Sequence, residues 1–223
     1  MKSKIMNNWY QIKAQANKSA DVYIYDYIGD YGVEAKSFVM ELQALDVEQI
    51  NLRINSPGGS VTDGFAIYNA LHRHSAKIIA HIDSLAASMA SIIALTGETV
   101  HMADNAFYMI HRPWAYALGD AEELSKIIEI LDKNEAKMLH IYDQKSNLDT
   151  TTIKNMMYET SWLTAAEAKE HGFIDEITEA VNIAACIKPN QYKNTPQALI
   201  KRPENSAAKT LQLHKLALKR SLL

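Results

Sequence analysis

The chain has 223 residues, of which 48% are hydrophobic and 22% charged, with a formal net charge of -3. Such a composition is typical of a soluble globular protein with one sizeable α/β core, and gives no reason to expect nucleic acid as a partner. A single cysteine excludes an internal disulfide framework and a cysteine-rich metal site. No apolar run approaches the roughly 20 residues of a membrane span, and the basic N-terminus lacks the apolar stretch of a secretory signal. We therefore expect a cytoplasmic protein with no membrane partner.

The first half of the chain alternates between strand and helix patterns. Alternating or β-branched runs predict strands, and apolar residues at helical spacing or runs of small residues predict the helices that follow them. The predicted strands are 22–28, 49–55 and 77–82, and the predicted helices are 32–45, 63–74 and 84–95. This alternation predicts parallel strands joined by crossover helices in a layered α/β domain.

The second half continues with predicted strands at 99–102 and 106–110 and a long amphipathic helix at 120–145. The apolar stripe of that helix indicates core or subunit interface rather than a cofactor site. After about residue 185 the chain becomes polar and basic, with three prolines. We therefore divide it into an N-terminal segment 1–20, a domain 21–185 and a tail 186–223, with a short helix from Ala207 onward. The tail fits either a solvated extension or a contact with an acidic surface.

A breaker cluster, Ser56-Pro57-Gly58-Gly59, follows the second predicted strand. Paired glycines let a backbone turn sharply and approach a ligand closely, so that its N–H groups can face a carbonyl oxygen or an extended peptide. Taken alone, the same cluster is also what an ordinary turn uses.

Ser88 lies in a run of small residues after the strand at 77–82. A serine at the start of a helix that follows a strand sits where backbone donors and the helix dipole stabilise a developing oxyanion. Taken alone, it also fits a packed helix in which the hydroxyl bonds back to a carbonyl.

His111 follows the apolar strand at 106–110 and precedes Arg112 and Pro113. A histidine at a strand end can reach a hydroxyl on a neighbouring element and accept its proton. Taken alone, a histidine here is also compatible with a structural or merely exposed residue.

Four segments, INSPGG, AASMAS, MIHRP and 163–175, occur in the order and at about the spacing of the proteolytic subunit of the Clp protease. The likeness covers roughly residues 22–177. It implies a layered α/β fold of the ClpP and crotonase type, with parallel strands, crossover helices and a long handle-type helix at 120–145. The opening Trp9-Tyr10 and the divergent tail resemble the phage- and prophage-encoded relatives called head maturation proteases.

Residue by residue, the resemblance implies that Ser88 is the nucleophile and His111 its general base. The backbone N–H groups of Gly59 and Met89 would form the oxyanion hole. Four residues would hold the substrate peptide as an added strand: Gly58, Gly59, Arg112 and Pro113.

The third catalytic residue is the point of departure from the family. Thr160 occupies the position where the family usually has its catalytic aspartate. A threonine can orient an imidazole but cannot neutralise the imidazolium, so activity could be reduced. The neighbouring Glu159 would serve instead if the local backbone shifts.

The resemblance implies a serine endopeptidase that works through an acyl-enzyme inside a chamber of homo-oligomeric rings, heptameric or doubled. Its substrate in a phage setting would be a capsid or scaffold protein. No metal or cofactor is implied, and no phosphate-binding Gly-Lys-Ser/Thr loop occurs, so ATP would be used by a partner such as an AAA+ unfoldase. Two other interpretations stay open: a catalytically weak or inactive ring subunit, and an acyl-CoA enzyme of the crotonase architecture.

Overall fold

The computed structural model describes residues 9–29, 33–182, 187 and 191–200, which contain eight strands and seven helices. The strands are β1 (Tyr10–Ala14), β2 (Ser19–Tyr25), β3 (Gln49–Ser56), β4 (Lys77–Ala87), β5 (Thr99–Ala103), β6 (Phe107–Ile110), β7 (Ser161–Leu163) and β8 (Glu176–Thr178). The helices are α1 (Ala35–Gln43), α2 (Val61–His72), α3 (Met89–Ala94), α4 (Ala121–Lys145), α5 (Thr150–Glu159), α6 (Ala165–Glu170) and α7 (Gln197–Ile200). The helix predicted from Ala207 onward lies outside the described residues.

The sheet is built on five parallel strands in the order β2-β3-β4-β5-β8, with β1 antiparallel to β2. In β3 the side chains of Ile50, Leu52 and Ile54 are fully buried, and the intervening residues are partly exposed. This is the period-two pattern from which the strand was predicted. The layered α/β fold with parallel strands and crossover helices is therefore confirmed.

Strand β4 is longer than predicted and changes partners along its length. It pairs with β5 through Ile79–Ile82 and then with β6 through Leu85–Ala87. The prediction ended this strand at Ile82 and began a helix at Ser84, which was wrong. The alanines favour helix locally, but their backbone groups complete the ladder to β6, and this tertiary pairing overrides the propensity.

The chain enters the sheet before residue 21. Trp9 is fully buried, stacks on Phe38 at 5.8 Å between ring centroids, and donates its indole N–H to the Val33 carbonyl at 2.7 Å. Strand β1 is hydrogen-bonded along its length to β2. The part of the segment 1–20 that the structure describes thus contributes a strand and a core side chain.

Helix α4 begins with a capping box in which Asp120 and Glu123 each accept the other's backbone N–H. Its C-terminal half packs into the core through Met138 and Tyr142, both fully buried. Its N-terminal half leaves Ile128 59% exposed. Within the described ranges, neither this helix nor any other is long and apolar enough to cross a bilayer.

Candidate active site

Ser88 occupies the corner between β4 and α3, with φ 56° and ψ -127°. A positive φ is sterically costly for a residue with a Cβ, on the order of 1–3 kcal/mol, and persists only where the surroundings hold it. A sharp, strained turn from strand to helix is a recurrent way of presenting a nucleophilic serine. Here the Ser88 N–H is fixed by a 3.0 Å bond to the Met109 carbonyl of β6.

A buried chain of hydrogen-bonded hydroxyl groups fixes the position of the Ser88 carbonyl. The Ser91 hydroxyl donates to the Ser88 carbonyl at 2.6 Å. The Tyr142 hydroxyl lies 2.7 Å from the Ser91 hydroxyl. The Tyr108 hydroxyl donates to the Ser91 carbonyl at 2.8 Å. Burial raises the pKa of both phenols, so they remain neutral donors at physiological pH. These bonds stabilise the strained backbone that carries the nucleophile.

His111 lies directly beside Ser88, with 2.7 Å between its Nε2 and the Ser88 Oγ. Parallel pairing of β4 with β6 aligns Ala87 with Met109, so the residues that follow the two strands meet at one edge of the sheet. Both side chains are buried, each in a residue 6% exposed. A hydroxyl at hydrogen-bond distance from a neutral imidazole is the arrangement that general-base activation of a nucleophile requires.

Burial lowers the pKa of His111 from 6.5 to about 4. Among the described residues, its imidazole makes no hydrogen bond other than the one with Ser88. The ring is therefore neutral at pH 7 and able to accept a proton from the hydroxyl, but no described group neutralises the imidazolium that would result.

This burial predicts a pH dependence of stability. Below pH 6.5 the unfolded chain protonates His111 while the folded protein does not until about pH 4, so the folded state loses stability as pH falls through this window. The contribution is on the order of 3 kcal/mol. We expect chemical denaturation to give this loss in the wild type but not in His111→Gln, while the lowered pKa of His81 acts equally in both proteins. Parallel pH profiles for the two proteins would contradict the assignment.

The two candidates for the third residue are placed differently. Thr160 is the left-handed residue that ends α5, with φ 58°; it is 8% exposed and lines a cleft with His111. No hydrogen bond joins it to the imidazole. Glu159 is exposed and is not part of that lining. The structure therefore places Thr160 in the lining of the cleft that also contains His111, and leaves the Glu159 carboxylate in solvent.

The glycine turn after β3 packs directly against the nucleophile. Gly58 has φ 89°, and a Cβ there would lie 2.7 Å from the Ser88 Cβ and 3.1 Å from the Met89 nitrogen. Gly59 has φ 152°, and a Cβ there would overlap the Ile28 carbonyl. Gly59 N–H donates to no acceptor among the described residues, and Met89 begins α3, where an N–H has no helical acceptor. Two uncommitted donors thus flank Ser88.

The residues after His111 divide between two roles. Pro113 lines the cleft on both sides of the imidazole. The Arg112 side chain instead points to α4, where its Nε lies 2.5 Å from the carboxylate of the buried Glu135. Its backbone N–H donates to the Met157 carbonyl at 3.1 Å. Arg112 thus connects the end of β6 to α4 and α5. Its predicted contact with substrate is therefore limited to the part of the cleft that Arg112 lines.

The cleft over Ser88 has a volume of about 630 Å³ and a lining that includes the aromatic side chains of Tyr27, Trp114 and Tyr192. Sequence reasoning did not single out these residues, because each lies in a segment without a recognisable motif. Tyr192 belongs to the predicted tail, and its ring contacts that of His111 edge-on at 5.0 Å between centroids. Within the described residues, no cluster of three or more histidine, cysteine or acidic side chains could hold a metal ion.

Comparison with known proteins agrees with this geometry. Residues 4–181 match the model of the family described as Clp protease. The chain is 37% identical over 151 residues to the ATP-dependent Clp protease proteolytic subunit of Leuconostoc citreum (strain KM20), covering 64% of this chain and 76% of that protein. Residues 4–181, which match the family model, contain the strained serine, the adjacent histidine and the glycine turn. The chain therefore belongs to the Clp protease family and is a serine-type peptidase.

Proposed function

We propose that this protein is an endopeptidase that cleaves peptide bonds through an acyl-enzyme on Ser88. The observation that carries the proposal is the 2.7 Å contact between the Ser88 hydroxyl and a His111 imidazole that burial keeps neutral. The N–H groups of Gly59 and Met89, which have no acceptor among the described residues, lie beside this pair and support the assignment, because acyl transfer needs donors for the oxyanion.

The reaction follows from these positions. As the Ser88 oxygen attacks the scissile carbonyl carbon, Nε2 of His111 takes the hydroxyl proton, and the carbonyl oxygen becomes an anion facing the N–H groups of Gly59 and Met89. Collapse of the tetrahedral intermediate breaks the C–N bond, and the imidazolium gives its proton to the leaving amine. Water then attacks the ester with His111 again as base, which releases the acid and restores Ser88.

A fluorophosphonate probe with mass spectrometry tests the proposal, because the probe phosphonylates only an activated serine. We expect the label on Ser88 and cleavage of a fluorogenic peptide. A protein that neither reacts nor cleaves under any condition would instead be an inactive ring subunit. The observation behind that alternative is the threonine at position 160, where the family usually has an aspartate. We expect the lack of this acid to slow turnover rather than abolish it.

We also propose that the peptidase works inside homo-oligomeric rings, heptameric or doubled. The N-terminal half of α4 supports this, since two apolar side chains of its stripe are exposed in the single chain: Leu124 is 36% and Ile128 is 59% exposed. Contiguous exposed apolar surface of this kind indicates an interface.

Ile128→Glu is therefore expected to convert a large assembly into smaller species, because a charge would be buried against apolar partners. Size-exclusion chromatography with light scattering measures the mass. The matched control is Ile130→Glu, an equally exposed isoleucine that lies on another side of the helix, outside the stripe. A 25.0 kDa wild-type monomer, or equal effects of both variants, would contradict this interface.

The resemblance to head maturation proteases supports a narrower proposal for the substrate, a phage capsid or scaffold protein cleaved in the bacterial cytoplasm. Any ATP-driven unfolding would come from an AAA+ partner. Trapping substrates with Ser88→Ala in host extract and identifying them by mass spectrometry tests this. Capture of capsid or scaffold protein supports the role, and a broad set of host proteins contradicts it.

A further inference from the structure

Residues 191–200, here called the strap, lie across the cleft that holds Ser88 and His111. On one side, the Tyr27 hydroxyl bonds to the Gln191 side chain, and the Tyr192 hydroxyl donates to the Pro57 carbonyl at 2.6 Å. The strap therefore reaches the wall of the cleft formed by the glycine turn and the residues after β2.

The strap is also held to the opposite wall. The Trp162 indole N–H donates to the Lys193 carbonyl at 2.9 Å, and the Asn194 amide donates to the Glu159 carbonyl at 3.1 Å. Leu199 is 5% exposed and packs in an apolar cluster with Leu85 and Met109, directly behind the catalytic strands. Bonds to both walls and an apolar anchor make the strap a bridge over the cleft.

Tyr192 is the part of the strap that contacts the catalytic pair. Its ring lies edge-on to the His111 imidazole, and its hydroxyl donates a hydrogen bond to the carbonyl of Pro57, the residue before Gly58. Ser88 and His111 are each 6% exposed with the strap in place. An extended substrate needs the main-chain groups of the glycine turn for pairing and needs its carbonyl at Ser88. The Tyr192 side chain occupies the space through which such a substrate would reach Ser88.

We propose that the strap is an intramolecular ligand of the substrate cleft, which closes the active site in the resting protein and must leave before a polypeptide can bind. Its inhibitory consequence rests on the proposed peptidase function, whereas its occupation of the cleft does not. The structure thus assigns to the C-terminal segment a regulatory contact, with Tyr192 as the residue that blocks the nucleophile.

Tyr192→Ala in the full-length chain is expected to raise the rate of Ser88 labelling by a fluorophosphonate about tenfold or more, because both the phenol hydrogen bond and the ring contact are lost. Tyr192→Phe, which removes only the hydroxyl, should give a smaller increase. Leu199→Ala loosens the strap from its far end without touching the site, and should act in the same direction. The matched control is Tyr68→Ala, a partly exposed tyrosine on α2 that lines neither cleft at the active site and should label at the wild-type rate.

A second measurement does not depend on catalysis. The amides of Gly59 and Met89 have no acceptor in the described chain and lie beneath the strap, so hydrogen exchange at peptides 56–60 and 88–91 should accelerate in Tyr192→Ala. Unchanged exchange, or labelling of Ser88 at the same measurable rate in the wild type and Tyr192→Ala, would overturn the proposed role of the strap and leave the peptidase assignment intact. Faster exchange without labelling of Ser88 in any variant would support the strap and refute the peptidase.

Discussion

Peptide hydrolysis is expected to fall at least about 100-fold in Ser88→Ala. In a complete triad, loss of the serine costs on the order of a million-fold, and loss of the acid alone costs on the order of ten thousand. Among the described residues no acid contacts His111, so the wild type already lacks the rate factor that an acid supplies. The loss in Ser88→Ala is then the smaller factor that the serine and histidine supply together. The measurement is kcat/KM on a fluorogenic peptide with the purified protein.

The matched control for this substitution is Ser146→Ala. The Ser146 hydroxyl is buried at the end of α4, has no hydrogen-bond partner among the described residues, and does not line the cleft over Ser88. Its removal should leave kcat/KM unchanged. Residual hydrolysis in Ser88→Ala equal to that of the control would show that cleavage arises elsewhere.

Thr160→Asp is expected to raise kcat/KM by at least about tenfold, with a ceiling on the order of ten thousand, the factor that an orienting acid supplies in a triad. The carboxylate would stand beside the imidazole, favour the imidazolium formed during attack, and raise the pKa of His111 above its value of about 4. The backbone suits the change: Thr160 has φ 58°, where aspartate is enriched and a β-branched residue is an outlier.

Two controls separate charge from shape and position. Thr160→Asn has the size of aspartate without its charge, and should recover little of the gain. Glu159→Gln should change kcat/KM by less than about twofold, because the carboxylate it removes is exposed. A large loss in Glu159→Gln would mean that Glu159 turns inward to orient the imidazole, and no gain in Thr160→Asp would refute the role of this position.

The central sheet was predictable because its signal is local. The alternation in β3 and the apolar periodicity of α1 and α2 reflect burial on one face, which sequence reports directly. The assignment of the glycine turn, Ser88 and His111 to one site rested on the resemblance to the Clp protease family, because each of the three segments taken alone also fits an ordinary structural role. The extension of β4 to Ala87 was not predictable, because it depends on pairing with β6, more than twenty residues away in the chain.

The same limit explains what was missed around the site. Helix α5 opens with three threonines, which are weak helix formers, and is held by an Asp149 cap that the sequence alone does not distinguish from a turn. Tyr192 stands in a polar segment with prolines, a composition typical of a solvated tail. Its place over His111 comes from bonds to Pro57 and Trp162, contacts that no local pattern encodes.

Helix α4 braces both members of the catalytic pair from beneath. Its Tyr142 hydroxyl bonds to Ser91, whose own hydroxyl donates to the Ser88 carbonyl. Its Glu135 carboxylate accepts a hydrogen bond from Arg112, the residue next to His111. Proton transfer tolerates misplacement of only about half an ångström. A small tilt of this one helix therefore alters the alignment of hydroxyl and imidazole from both sides at once, so forces on its solvent-facing end are transmitted to the proton-transfer distance.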